Sequence, residues 1–155
     1  MLAADLHAEV LNDLIRINND RILGYEKAIA ETAQLDIDLD VLFKEMIQES
    51  RHFREELAEQ VALLDQPIAK DTTLSGKVYR AWMDLKASIT GTDRKAILDS
   101  CAFGEDAWRK AYETVLETHP ELPVASRQLL TRQYNTEQQS ADLIKKYRDA
   151  HAALV

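Results

Sequence analysis

Helix breakers are what this chain most lacks: its 155 residues contain only 4 Gly and 3 Pro. Gly and Pro end helices and build the turns of β folds, so a chain poor in both is confined to a few long helices. The apolar residues keep the matching period. Leu11, Ile15, Ile22, Tyr25 and Ile29 share one face of a first helix over about residues 2–33. Asp36, Asp38 and Asp40 offer N-cap and first-turn carboxylates to a second helix, whose stripe is Leu42, Phe43, Met46, Phe53, Leu57, Val61 and Leu64. Pro67 and Lys70-Asp-Thr-Thr73 interrupt the pattern. Val78, Trp82, Leu85 and Ile89 then mark a short helix over residues 74–90, ending at Gly91. Thr92 and Asp93 can cap a third long helix, with Ile97, Cys101, Gly104, Trp108, Ala111 and Val115 on its stripe as far as His119-Pro120. The last helix runs from about Pro123 to His151.

Four long rods and one short one suit a chain of single-domain size, residues 1–155, with one core. The stretch from Asp65 to Thr92 is long enough to climb from one pole of a bundle to the other. The third long helix then runs parallel to the second, and a single long crossover between helices two and three is the ferritin-like arrangement. The expected fold is therefore all-α: a ferritin-like antiparallel four-helix bundle with a short extra helix in that crossover.

Charge and composition exclude several partners. With 27 acidic against 19 basic residues and a net charge of −8, the chain lacks the clustered Lys and Arg on which phosphate-backbone binding rests, so no nucleic acid is expected. No apolar run reaches the roughly 20 residues needed to cross a bilayer, and Met1-Leu-Ala-Ala-Asp5 does not read as a signal peptide. No membrane association and a cytoplasmic location are the expectations. The single cysteine, Cys101, agrees with a reducing compartment. It lies on the apolar stripe and reads as an inert buried thiol, as Trp82 and Trp108 read as packing anchors. A Gly-rich phosphate loop, a Ser-His-Asp set and paired cysteines are all missing, which removes the common hydrolase and nucleotide-dependent classes.

The segments Leu11–Glu26, with Asn18-Asn19-Asp20, Gly76–Lys86, with Arg80-Ala-Trp82, and Ser100–Asp106 resemble a bacterial ferritin-like four-helix-bundle family, a domain of unknown function. The resemblance spans nearly the whole chain and implies the fold but little about activity. Relatives often carry an acidic residue beside the cysteine and a histidine late in the last helix; this chain has Ala102 and Ala141 there. On that alignment two candidate ligands are gone.

Ferritin-like di-iron sites take one Glu from each of two helices and a Glu-x-x-His pair from each of the others. Glu49-Ser-Arg-His52 matches formally, Glu26 and Glu105 stand on the first and third long helices, and Glu137 on the fourth is followed by Ser140 in place of a histidine. Helical geometry weakens the match, because His52 falls about 135° and Glu49 about 75° from the centre of their apolar stripe. A solvated surface is the stronger reading for that pair, and Asp20 lies opposite the stripe of its own helix. Asn18 and Glu137 do fall on the core stripes, Gln133 lies near the same line, and Glu105 flanks its stripe by about 50°. The functional reading is a carboxylate-rich metal site of Glu105 and Glu137, assisted by Glu26 or Glu49. The structural reading, the stronger because no histidine accompanies the carboxylates, is a hydrogen-bonded polar layer in which Asn18, Gln133 and Arg148 satisfy Glu137. His7, His119 and His151 form no cluster.

Two functions stay open. One is a non-enzymatic bundle acting through its surface or assembly, in a stress-related setting by analogy with ferritin-like relatives, and without a cofactor. The other binds or oxidises iron, or another divalent metal, with interior carboxylates. A homodimer is expected from apolar residues off the main stripes, among them Leu14, Leu23 and Leu116.

Overall fold

The computed structural model describes residues 4–32, 37–73 and 94–153. Its helices are α1 (Ala4–Thr32), α2 (Ile37–Leu63), α3 (Arg94–Thr118) and α4 (Val124–Ala153), and the described residues include no strand. The short helix expected over residues 74–90, with Trp82, and the cap at Thr92 and Asp93 lie outside the described residues.

Helix ends follow from local chemistry. Asp65 adopts the left-handed conformation, φ 57°. The Gln66 amide bonds to the Val61 carbonyl and the Asp65 amide to that of Ala62, the paired reverse bonds that close a helix C-terminus. Pro120 stops α3, and the Arg127 guanidinium donates to the Leu116 and His119 carbonyls at 3.2 and 2.9 Å, satisfying acceptors at that end.

Side-chain contacts give the directions. Asn19 meets Arg54 and Arg21 meets Met46, so α1 and α2 are antiparallel. Arg21 meets Glu105 while Asn18 meets Tyr112, so α1 and α3 are antiparallel too. Tyr112 with Gln133 and Asp106 with Lys145 make α3 and α4 antiparallel. The Arg94 guanidinium forks onto Asp38 at 3.2 and 2.9 Å and Phe53 packs against Trp108, which sets α2 and α3 parallel. Residues 67–73 lie along α1 in its own direction. The Asn12 side chain takes the Ala69 amide and donates to the Pro67 carbonyl, Asn19 donates to the Asp71 carbonyl, and the Thr73 hydroxyl donates to Asp20. The chain thus climbs back after α2, which is the up-down-down-up order of the ferritin-like bundle.

The core is one cluster drawn from all four helices. Leu11, Leu14, Ile15, Leu39, Phe43, Leu57, Val61, Leu98, Trp108, Leu130 and Ile144 are fully buried. Each such side chain contributes about 1.5–3 kcal/mol through the apolar surface it removes from water. Cys101 is buried, as its stripe position predicts. Leu14, counted above among the residues off the stripe, belongs to this core; α1 buries more than half its circumference because α2, α3 and residues 67–73 cover it from three sides. Leu23 is exposed and Leu116 half-buried against the core.

Candidate functional site

Halfway along the bundle α1 to α4 each present polar side chains, with apolar neighbours, at helical spacing to a single interior layer. Asn18, Arg21 and Tyr25 come from α1; Met46, Glu49, Ser50 and Phe53 from α2; Glu105, Trp108, Arg109 and Tyr112 from α3; Gln133, Glu137 and Ser140 from α4. Offsets of three, four and seven residues keep each set on one helix face.

Arg21 is the centre of the layer. Its guanidinium is fully buried, and Nε donates to Glu105 Oε1 at 2.8 Å. Nη1 donates to the Ser50 hydroxyl at 2.9 Å, while Nη2 lies 3.0 Å from Glu49 Oε1 and 3.5 Å from the Met46 sulfur. The plane sits against the Tyr25 and Trp108 rings, 5.6 and 5.8 Å from their centroids. Burial opposes the charge, but Glu105 and Glu49 more than offset it and hold the group protonated.

The carboxylates fall into distinct roles. Glu105 is fully buried, and its Oε1 also accepts the Tyr25 hydroxyl at 2.6 Å. Glu49 is half-buried and accepts the Ser140 hydroxyl at 2.7 Å; burial raises its pKa although Arg21 opposes the shift. Glu137 is fully buried and lies 3.5 Å from Arg109 Nε. Burial, then the charge of Glu105, push Glu137 far above the usual carboxylate range, so it carries a proton at neutral pH.

A relay of hydrogen bonds extends from this cluster through all four helices. Arg21 donates to Ser50, whose hydroxyl donates to Asn18 Oδ1 at 2.9 Å; Asn18 Nδ2 donates to the Tyr112 hydroxyl at 3.0 Å. Tyr112 donates to Gln133 Oε1 at 2.6 Å, and Gln133 Nε2 donates to the Phe53 carbonyl at 3.1 Å. Asn18 Oδ1 accepts the Trp108 indole N–H as well, at 3.1 Å, and that ring stacks on Tyr112 with centroids 3.8 Å apart. Bonds aligned head to tail polarise one another, so the set is stronger than its members taken singly.

The structure thus gathers Glu105, Glu137 and Glu49, whereas Glu26 is exposed on α1. Asn18 and Gln133 are interior, as their stripes predict, but they bond to Tyr112, Ser50 and Phe53 rather than to Glu137. Arg148 lies at the surface with Asp99 and Asp149 and does not reach Glu137. His52 is exposed beside Glu56, as expected. Asp20 is not at the surface: residues 67–73 bury it and Thr73 bonds to it. His7 is buried, its Nε2 2.9 Å from the Ser126 hydroxyl. Arg21 itself went unread in the sequence, where the only signal was its offset of three and four residues from Asn18 and Tyr25.

The donor set limits the metal chemistry open to this layer. Carboxylate-bridged iron centres in such bundles use four carboxylates and two histidines. Here Glu105 Oε1 and Glu49 are engaged by Arg21, Tyr25 and Ser140, leaving Glu105 Oε2 and Glu137 Oε2 as buried oxygens with no other hydrogen-bonding partner. Among the described residues no group of three or more His, Cys, Asp or Glu side chains is placed to hold a metal ion. As arranged, the centre does not fit a resident iron pair.

The family profile described as "Domain of unknown function (DUF2383)" matches residues 7–118. No curated protein matches the chain. Among solved structures, a mutant of Dps1 from Mycobacterium smegmatis superposes with a TM-score of 0.80 over 94% of this chain and 97% of that one, at 17% identity. At that identity the likeness shows the ferritin-like fold. No helix among the described residues is long and apolar enough to cross a membrane.

Proposed function

The chain belongs to the DUF2383 family, and from that premise we propose that it is a non-enzymatic ferritin-like bundle protein acting through its surface or its assembly. The observation that carries this reading is Arg21. A buried guanidinium satisfied by Glu105, Glu49 and Ser50 supplies the positive charge that interior carboxylates demand, and supplies it from within the chain. The charge balance of the layer is thus held among its own side chains. What the protein offers other molecules is its exterior, where Leu6, Leu23, Val41, Phe103 and Val124 are exposed. A second copy of the chain is the partner we propose, since scattered apolar residues on a helical surface are what a symmetric contact covers.

A second reading rests on Glu105 Oε2 and Glu137 Oε2, the buried oxygens that Arg21 does not use. They favour a carboxylate-rich iron-binding protein with Glu105, Glu137 and Glu49 as ligands, Glu26 being exposed. One experiment separates the two. Wild-type and Glu137→Ala protein are incubated anaerobically with ferrous iron, passed through a desalting column and assayed for iron per chain. We expect no stoichiometric iron in either, with Glu137→Ala altering stability alone. Near-stoichiometric iron that the substitution abolishes would replace the first reading with the second. Sedimentation velocity on the same wild-type sample reports the assembly, and a monomer at all concentrations would remove the homodimer.

A further inference from the structure

We propose that the outward face of α4 is the surface on which two copies of this chain pair, antiparallel, about a twofold axis near Asn135. The proposal rests on the homodimer reading above and names its surface. Its first support is the pattern of charge. From Leu122 to Thr136 the sequence holds no acidic residue, the longest such stretch in a chain that carries 27. Val124, Gln128, Thr131, Asn135 and Gln138 recur there at offsets of four and three, all exposed, so they form one uncharged stripe along the helix. Glu137 beside them is turned inward and fully buried. The outward faces of α2 and α3 differ: Lys44, Arg51 and Glu55 are exposed on the first, Lys110, Glu113 and Glu117 on the second. Depletion of charge is what marks the centre of a protein–protein contact.

The second support is shape and hydrogen bonding. Val124, Arg127, Gln128, Thr131, Arg132 and Asn135 line a shallow groove on this face. The amides and the hydroxyl of the stripe offer donors and acceptors together, so an identical stripe turned end for end satisfies them reciprocally. An Asn near the axis of paired helices fixes their register. The third support is charge complementarity. Arg127 stands near one end of the stripe and exposed Asp142 near the other. Their separation along one helix is about 22 Å, too far for them to meet within a chain. In an antiparallel pair centred near Asn135, Arg127 of one copy comes level with Asp142 of the other, and the symmetry makes that contact twice. Lys146 comes level with Glu121 in the same way. Parallel helices would instead set Asp142 against Asp142, so the charges select a second copy running in the reverse direction.

The test combines sedimentation velocity over a range of concentrations with cysteine cross-linking, using exposed positions so that the fold is left alone. Asn135→Glu sets two carboxylates together at the axis, and we expect self-association at least tenfold weaker than wild type with an unchanged thermal midpoint. Asn135→Cys should link into a disulfide dimer under a mild oxidant. Gln128→Cys, equally exposed on the same face, should not, because the antiparallel arrangement holds its two copies roughly 18 Å apart. A wild-type dimer that Asn135→Glu leaves intact, or that Asn135→Cys fails to link, would overturn the proposal while the homodimer reading stands on some other face. Linking of Gln128→Cys as readily as Asn135→Cys would overturn the antiparallel pairing and the proposal with it. A wild-type chain that stays monomeric at every concentration would remove the proposal and the homodimer together.

Discussion

Asn18 fills every hydrogen-bonding position of its side chain, giving to Leu14 and Tyr112 and receiving from Ser50 and Trp108. Asn18→Leu keeps the volume but strands those partners, and a loss of about 2–4 kcal/mol is expected from urea denaturation, since each orphaned buried group costs about 1–3 kcal/mol. Glu137 makes a prediction of sign. Its folded pKa is raised, by burial first and then by Glu105, so its contribution is fully present below the unfolded value of 4.5 and is lost as pH rises toward the folded value. Wild-type stability measured from pH 7 to 9 is therefore expected to fall more steeply than that of Glu137→Gln, by up to about 1.4 kcal/mol per pH unit for one proton. His7 has the opposite sign: burial lowers its pKa, so stability present above 6.5 is lost as pH falls. Thermal midpoints of His7→Gln should drop less than those of wild type between pH 6.5 and 5. Asn18 and Glu137 were legible because they interrupt apolar stripes. Arg21 was not, because it flanks the stripe by about 60–80°, where a long basic side chain ordinarily lies along the surface with its charge in water.

Among the elements, the crossover explains what the helical pattern misplaced. Asn12, Arg16, Asn19 and Asp20 lie on the side of α1 that a four-rod bundle leaves to solvent, yet residues 67–73 run over them and are pinned by their side chains. A stripe drawn within one helix cannot foresee burial by a segment some 50 residues away in sequence, which is why Asp20 reads as exposed. The helices themselves were legible to within a few residues, since Pro120, Pro123 and the apolar period are local signals. Asn19→Ala removes the bond to the Asp71 carbonyl and the acceptor for Arg54. It should cost about 1–2 kcal/mol globally. Limited proteolysis should nevertheless cut faster within residues 66–73, because the pinned segment opens without the bundle.

At the scale of the whole molecule, the relay from Arg21 to Phe53 ties all four helices into one layer, so no pair can separate without breaking it. Unfolding is expected to be a single cooperative transition, with near- and far-ultraviolet circular dichroism changing together. Leu130→Ala, in the fully buried core, should move both signals by the same about 2–5 kcal/mol. The sealing of Arg21 has a consequence for how that opening can be watched. Water reaches its N–H protons only when the helices part, so in heavy water the nuclear magnetic resonance signal of this one side chain would decay at the rate of bundle opening, a clock placed at the centre of the molecule and read from outside.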